Sequence, residues 1–163
     1  MSLVVSDSGP IHYLILCEAI DVLPKLYGQV VIPSAVAREL NHTNTPAAVR
    51  QWIQSLPGWA SIQTPRQIDP ATQLGLGERE AIGLALELKA IQILVDDRAA
   101  RRLAMQRGLI IGSTVGILEQ AAANGILSLP EKMKKLLSTN FRIDPGVVRE
   151  VLERDAARRK QNG

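Results

Sequence analysis

Ile91-Gln92-Ile93-Leu94-Val95 is an apolar run, interrupted only by Gln92, that ends directly on Asp96-Asp97. A run this short, rich in Ile, Leu and Val, reads as a strand buried on both faces rather than as a helix. A helical pattern precedes it, opening at Gly77 and running to about Ala90. Another follows from Arg98 to Arg107 and stops at Gly108. Helix–strand–helix order is the repeating unit of a parallel sheet with helices on its faces.

The same alternation extends in both directions. Leu3-Val4-Val5 reads as a strand that turns at Asp7-Ser8-Gly9-Pro10 into a helix from Ile11 to Ala19, with Ser8 as its expected cap. A short helix from Val22 to Tyr27 ends at Gly28, and Gln29-Val30-Val31-Ile32-Pro33 forms the next strand. Helices follow from Ser34 to Leu40 and from Pro46 to Leu56, stopped by Pro57-Gly58. Trp59 to Thr64 reads as an edge strand, and Asp69 to Leu76 as a polar connection. Leu109-Ile110-Ile111 reads as the last strand, followed by helices from Gly112-Ser113-Thr114 to about Gly125, from Pro130 to Leu137, and from Pro145 to about Arg159. The expected fold class is α/β, with a central, mostly parallel sheet between two helical layers.

Composition agrees with that architecture. The 163 residues suit one domain, and 46% are apolar while only 3% are aromatic, so the core is aliphatic. An antiparallel platform that stacks bases on exposed rings is excluded. The lone Cys17 permits neither an internal disulfide nor a cysteine zinc cage. Neither His12 nor His42 has a partner at metal-ligand spacing, which argues against a zinc hydrolase. The opening residues carry no basic leader and no long apolar stretch, so the expectation is a cytoplasmic protein with no membrane span. The formal charge is only +3, but two basic clusters, Arg98/Arg101/Arg102/Arg107 and Arg154/Arg158/Arg159/Lys160, suggest a polyanionic partner.

In an open parallel sheet, ligands bind at the carboxyl ends of the strands. Asp7 and the Asp96–Asp97 pair both fall at that edge. Asp7 and Asp97 also have the alternative reading of helix caps. Glu39 lies at the end of a helix, where the dipole disfavours an acid, so its placement asks for another reason. Glu78 and Glu80 open a helix and stand roughly 200° apart around it, so only one faces the sheet edge easily. The apolar positions Ala81, Ile82, Leu84, Ala85 and Leu88 place Glu78 nearer the buried face. Carboxylates gathered in one volume repel, and a hard divalent cation such as Mg2+ or Mn2+ relieves that repulsion.

These motifs in this order resemble those of PIN-domain ribonucleases. The resemblance is carried by Val4-Val5-Ser6-Asp7-Ser8-Gly9-Pro10, Val36-Ala37-Arg38-Glu39-Leu40, Gly77-Glu78-Arg79-Glu80-Ala81-Ile82 and Leu94-Val95-Asp96-Asp97-Arg98. Gly112-Ser113-Thr114-Val115-Gly116-Ile117-Leu118 adds an element typical of a prokaryotic branch related to VapC toxins. The resemblance covers roughly residues 2 to 138. It implies a three-layer α/β/α fold and Mg2+- or Mn2+-dependent cleavage of single-stranded RNA. It further implies a toxin of a toxin–antitoxin pair, a cognate antitoxin as partner, and a homodimer. It implies Asp7, Glu39, Glu78 or Glu80, and Asp97 as catalytic acids, with Asp96 beside Asp97 as a further metal ligand. Ser8 and Thr114 match its hydroxyl positions, and Arg98 is the adjoining candidate for phosphate. The departure is at the third acid, where Glu78 and Glu80 compete for a position that most relatives fill with one Asp. Two segments are expected: a nuclease-like domain over 1–140 and a basic helical extension of it over 141–163. The alternative is a PIN-like module that binds RNA or protein without cutting. A haloacid-dehalogenase-type phosphatase needs an acid two residues after Asp7, where Gly9 stands.

Overall fold

A computed structural model describes residues 2–162; Met1 and Gly163, the outer ends of the two expected segments, lie outside the described residues. The strands are β1 (Ser2–Ser6), β2 (Gly28–Pro33), β3 (Ala60–Gln63), β4 (Gln92–Leu94) and β5 (Ile111–Gly112). The helices are α1 (Ser8–Leu16), α2 (Val22–Leu26), α3 (Ser34–Leu40), α4 (Ala47–Gln54), α5 (Leu76–Leu88), α6 (Arg98–Gln106), α7 (Thr114–Ala123), α8 (Leu129–Leu137) and α9 (Pro145–Asn162).

The strands form one sheet in the order β3-β2-β1-β4-β5, and every pair is parallel. The sheet is thus wholly rather than mostly parallel, and β3 lies at an edge as its weak pattern suggested. Successive strand residues point to opposite faces, and the burial follows that period. Val4, Val30, Ile32 and Leu94 face a core shared with α1, α2, α4, α7, α8 and α9. Val5, Val31, Ile93 and Val95 face a second core closed by α5 and α6. The result is a three-layer sandwich.

Several boundaries differ from the sequence reading, each for a local reason. The Leu109–Ile111 strand is displaced to Ile111–Gly112: β4 pairs there, while the Ile110 side chain is 64% exposed. Asp7, not Ser8, occupies the cap position of α1, because Ser8 already has its place in the first helical turn. α1 ends at Leu16, where Glu18 takes a left-handed turn (φ 59°) that no helix continues through.

The C-terminal segment is built into the fold. Val151 of α9 is buried in the larger core, and α9 packs on α7 and α8. Three of its four arginines are engaged internally. Arg154 and Arg158 hold Glu119 of α7, and Arg158 and Arg159 hold the buried Asp155. Much of the second basic cluster is thus tied to acids of the fold, while Lys160 stays exposed.

Candidate active site

β1 and β4 are neighbours at the centre of the sheet, so their carboxyl ends deliver Asp7 and Asp96 side by side. The Asp7 backbone N–H donates to the Leu94 carbonyl at 2.9 Å, locking the end of β1 to the end of β4. Asp7 is only 6% exposed. Although it occupies the cap position of α1, its carboxylate makes no capping hydrogen bond. The capping alternative for Asp7 is thus set aside, and apart from the adjacent Ser8 N–H its carboxylate is not committed to the helix.

Burial is the main force on Asp7, pushing its pKa up to about 7 from 3.8. The nearby Ser8 N–H offsets part of this, while the negative charges of Glu78, Glu39 and Asp96 add to it. This network identifies the acids that share one electrostatic volume. Glu78 is likewise raised, first by burial and then by Asp97 and Glu39. Among the described residues, no three acids or histidines stand close enough to form a closed cage. Like charges repel at closer approach, and the long Glu39 and Glu78 side chains supply the freedom to draw together.

The adjacent acids Asp96 and Asp97 are held by different helices. Asp96 accepts from the Thr114 backbone N–H at 2.8 Å and from its hydroxyl at 2.6 Å, so the start of α7 fixes its orientation. Burial raises the Asp96 pKa, while the Thr114 bonds and Arg101 partly oppose that rise. Asp97 accepts from the Ala100 N–H at 2.9 Å and caps α6, as the capping alternative held, while its charge still acts on Glu78. The Thr114 hydroxyl is buried and spent on Asp96, and the Ser8 hydroxyl makes no hydrogen bond to an acid.

The competition at the third position has a geometric outcome. Glu80 is buried, and its Oε1 accepts from the Ser34 hydroxyl and the Ala35 N–H, both at 2.9 Å. It caps α3 from α5 and is absent from the acidic group around Asp7. Glu78 is half-buried, takes the Gly75 N–H at 2.7 Å in a capping box, and faces Asp97 and Glu39. The expectation that Glu78 lies nearer the buried face is therefore corrected. Glu80 is the more buried residue, because α3 covers that side of α5. Glu39 is exposed, and its carboxylate lies over Gly77, the residue before Glu78.

The Arg98–Arg107 cluster divides by position on α6. Arg107, at its end, is ion-paired with the buried Asp69 at 2.9 Å. Arg101 faces Asp96, and its Nε is buried without a hydrogen-bond partner. Arg98 is exposed beside them. The sequence flagged these arginines as one run; the turn of the helix separates them. His42 is exposed, half-buried His12 lies against Tyr13, and neither joins the acids.

The donor set is of the chemical kind that a hard divalent cation takes, although among the described residues no three of its acids stand close enough together to hold one. The set consists of carboxylate oxygens, with no thiolate or imidazole, and apart from the Ser8 N–H its most buried acid is not committed to another group.

Comparison with known proteins agrees with this architecture. A PilT N-terminus domain protein from the hyperthermophilic archaeon Sulfolobus solfataricus P2 superposes with a TM-score of 0.52 at 16% identity. The match covers 87% of this chain and 99% of that one, a likeness of fold. No curated protein matches the chain. The DUF3368 family model, described as a PIN domain, matches residues 3–156 and so extends beyond the quoted motifs into α9. A parallel sheet bearing acids at its carboxyl edge, matched over nearly its whole length, places this chain in the PIN-domain family.

Proposed function

We propose that the chain is a metal-dependent endoribonuclease that cleaves single-stranded RNA. PIN domains are generally nucleases, which supports this reaction class. The observation that carries the reading is Asp7, a buried carboxylate without a capping bond, in one electrostatic volume with Glu39, Glu78 and Asp96. In this reading Asp7, Asp96 and Asp97 hold Mg2+ or Mn2+, and Glu39 and Glu78 complete the shell or orient the attacking water. Bound there, such an ion supplies charge neutralisation on the phosphodiester and a more acidic water. Thr114 keeps Asp96 aimed at the site, and Glu80 holds α3 so that Glu39 reaches it. The water loses a proton as its oxygen forms the new bond to phosphorus, the bridging P–O bond breaks, and the leaving oxygen takes up a proton, so that one water is consumed.

The test incubates purified protein with single-stranded RNA and Mn2+, with Asp7→Asn alongside. Cleavage by the parent alone supports the site, and equal cleavage by both sinks it. The toxin role belongs to the same reading: expression in a bacterial host arrests growth, and Asp7→Asn relieves the arrest. The spacing of the acids gives the second reading, a module that binds RNA or protein without cutting. Calorimetric titration with Mn2+ separates the two, since the module takes up no metal.

A further inference from the structure

A cleft of about 580 Å3 runs from Asp96 to α9, between the starts of α6 and α7 on one side and residues 141–154 on the other. Arg98, Arg101, Arg142 and Arg154 line it, along with Phe141. Among these cations, Arg154 is neutralised by Glu119. Arg98 and Arg142 are exposed and make no ion pair among the described residues, and Arg101 keeps its unpartnered Nε at the Asp96 end. The acids on the same walls are largely engaged: Glu119 with Arg154 and Arg158, Asp96 with Thr114, and Asp144 with the Gly146 N–H at the start of α9. The lining carries four arginines against three acids, a formal net charge of +1 immediately beside the acidic group, a placement that suits the phosphates of an extended polyanion.

The wall carrying Phe141 is rigidly placed. Phe141, the chain's single phenylalanine, packs edge-on against Tyr13 with ring centroids 4.8 Å apart. The Tyr13 hydroxyl donates to Asn140 at 3.0 Å, tying this segment to α1, the helix that begins after Asp7. A half-buried ring among free arginines matches how single strands are bound: phosphates on cations, a base on an aromatic face. A duplex keeps its bases stacked on one another and gains nothing from the ring.

We infer that this cleft is the channel for the substrate strand next to the scissile bond, with Arg98, Arg101 and Arg142 on successive phosphates and one base stacked on Phe141. The inference rests on the nucleic-acid reading of the acidic group and adds to it the path of the strand and the residues that hold it.

The experiment measures binding of a fluorescein-labelled 12-nucleotide RNA to the full chain in EDTA, by anisotropy across a salt series. Binding without metal is independent of cleavage, so loss of the nuclease reading leaves this test intact, and the reverse also holds. Arg142→Ala and Arg98→Ala each weaken binding and reduce the slope of log K against log salt by about 0.7. Phe141→Leu weakens binding roughly fivefold or more with the slope unchanged. Lys134→Ala, on exposed α8, leaves both quantities at the parent values. Because Phe141 packs on Tyr13, melting curves accompany that variant, and the exposed Arg142 provides the arm free of packing effects. Parent-like affinity and slope in the arginine variants overturn the proposal. So does equal affinity for a duplex of the same length, or a polyglutamate peptide that binds with the same dependence on Phe141.

Discussion

Replacing Asp7 by Asn should make the metal-free protein more stable at pH 8, although the substitution removes the central acid of the proposed site. Burial favours the protonated form of Asp7, whose pKa rises from 3.8 to about 7. The unfolded chain ionises this group near 3.8, but the folded chain resists ionisation until about 7. Between those values the folded state binds more protons, so stability falls as pH rises through that window and levels off above it. A rise of about three units, at about 1.4 kcal/mol each, sets an upper limit of about 4 kcal/mol. Local relaxation and water penetration around the buried carboxylate lower this to about 2 kcal/mol, or roughly 4–8 °C in Tm for a chain of this length. Asn has the volume of the neutral acid, never ionises, and offers its amide N–H groups to the surrounding carboxylates. Thermal melting in EDTA from pH 4 to pH 8 tests this: parent and variant coincide at pH 4, separate up to about pH 7 and stay apart above it, with the variant higher. Adding Mn2+ at pH 8 should reverse the order, because an ion at one hundred times its Kd stabilises the parent by about 2.7 kcal/mol and has lost a principal ligand in the variant. A variant that melts at or below the parent at pH 8 in EDTA refutes the burial argument.

The two glutamates of α5 should respond in opposite ways. Glu80→Ala leaves the Ser34 hydroxyl and Ala35 N–H without their acceptor and destabilises the fold by about 1–3 kcal/mol in urea melts, whereas Glu78→Gln chiefly lowers Mn2+ affinity in calorimetry. Two glycines separate in the same manner. A Cβ on Gly83 would strike the Gln67 backbone carbonyl, so Gly83→Ala should cost about 1–3 kcal/mol in the same melts. A Cβ on Gly77 would meet the movable end of Glu39, so Gly77→Ala should displace that acid and weaken Mn2+ binding with a smaller loss of stability. Asp69, buried against Arg107, has its carboxyl held below the usual carboxylate range by that guanidinium. Its stabilisation is present above pH 4 and lost as pH falls through the depressed value, so Asp69→Asn should flatten the acid limb of a stability–pH curve.

The strands and the acidic edge were legible in the sequence because their signals are local. An apolar run of five residues ending on Asp96-Asp97 states both the strand and the position of its carboxyl end. β5 was misplaced because Leu109-Ile110-Ile111 is equally apolar throughout, and only pairing with β4 sets its register. The choice between Glu78 and Glu80 shows a different limit. Helical periodicity reports which face is covered, but not whether the cover is apolar core or the polar start of another helix. Glu80 lies under α3 and is occupied by it; Glu78 lies at the open margin among the other acids. The ion pairs of α9 were illegible for the same reason: Glu119 and Asp155 lie within reach of Arg154, Arg158 and Arg159, and composition alone carries no distances. Phe141 and Arg142 gave no signal, because nothing in the sequence brings them beside residue 96.

The acids at this sheet edge differ in what else depends on them. Asp96 anchors the start of α7, Asp97 starts α6, and Glu80 starts α3, whereas Asp7 caps nothing and the exposed Glu39 carboxylate holds no helix. A genetic selection for inactive protein that still accumulates to normal levels would therefore sample the acids unevenly. Its survivors should gather at Asp7 and Glu39, and changes at Asp96, Asp97 or Glu80 should be recovered mainly as poorly accumulating chains. The fold thereby divides its carboxylates into those that evolution can lose quietly and those whose loss is visible in the amount of protein.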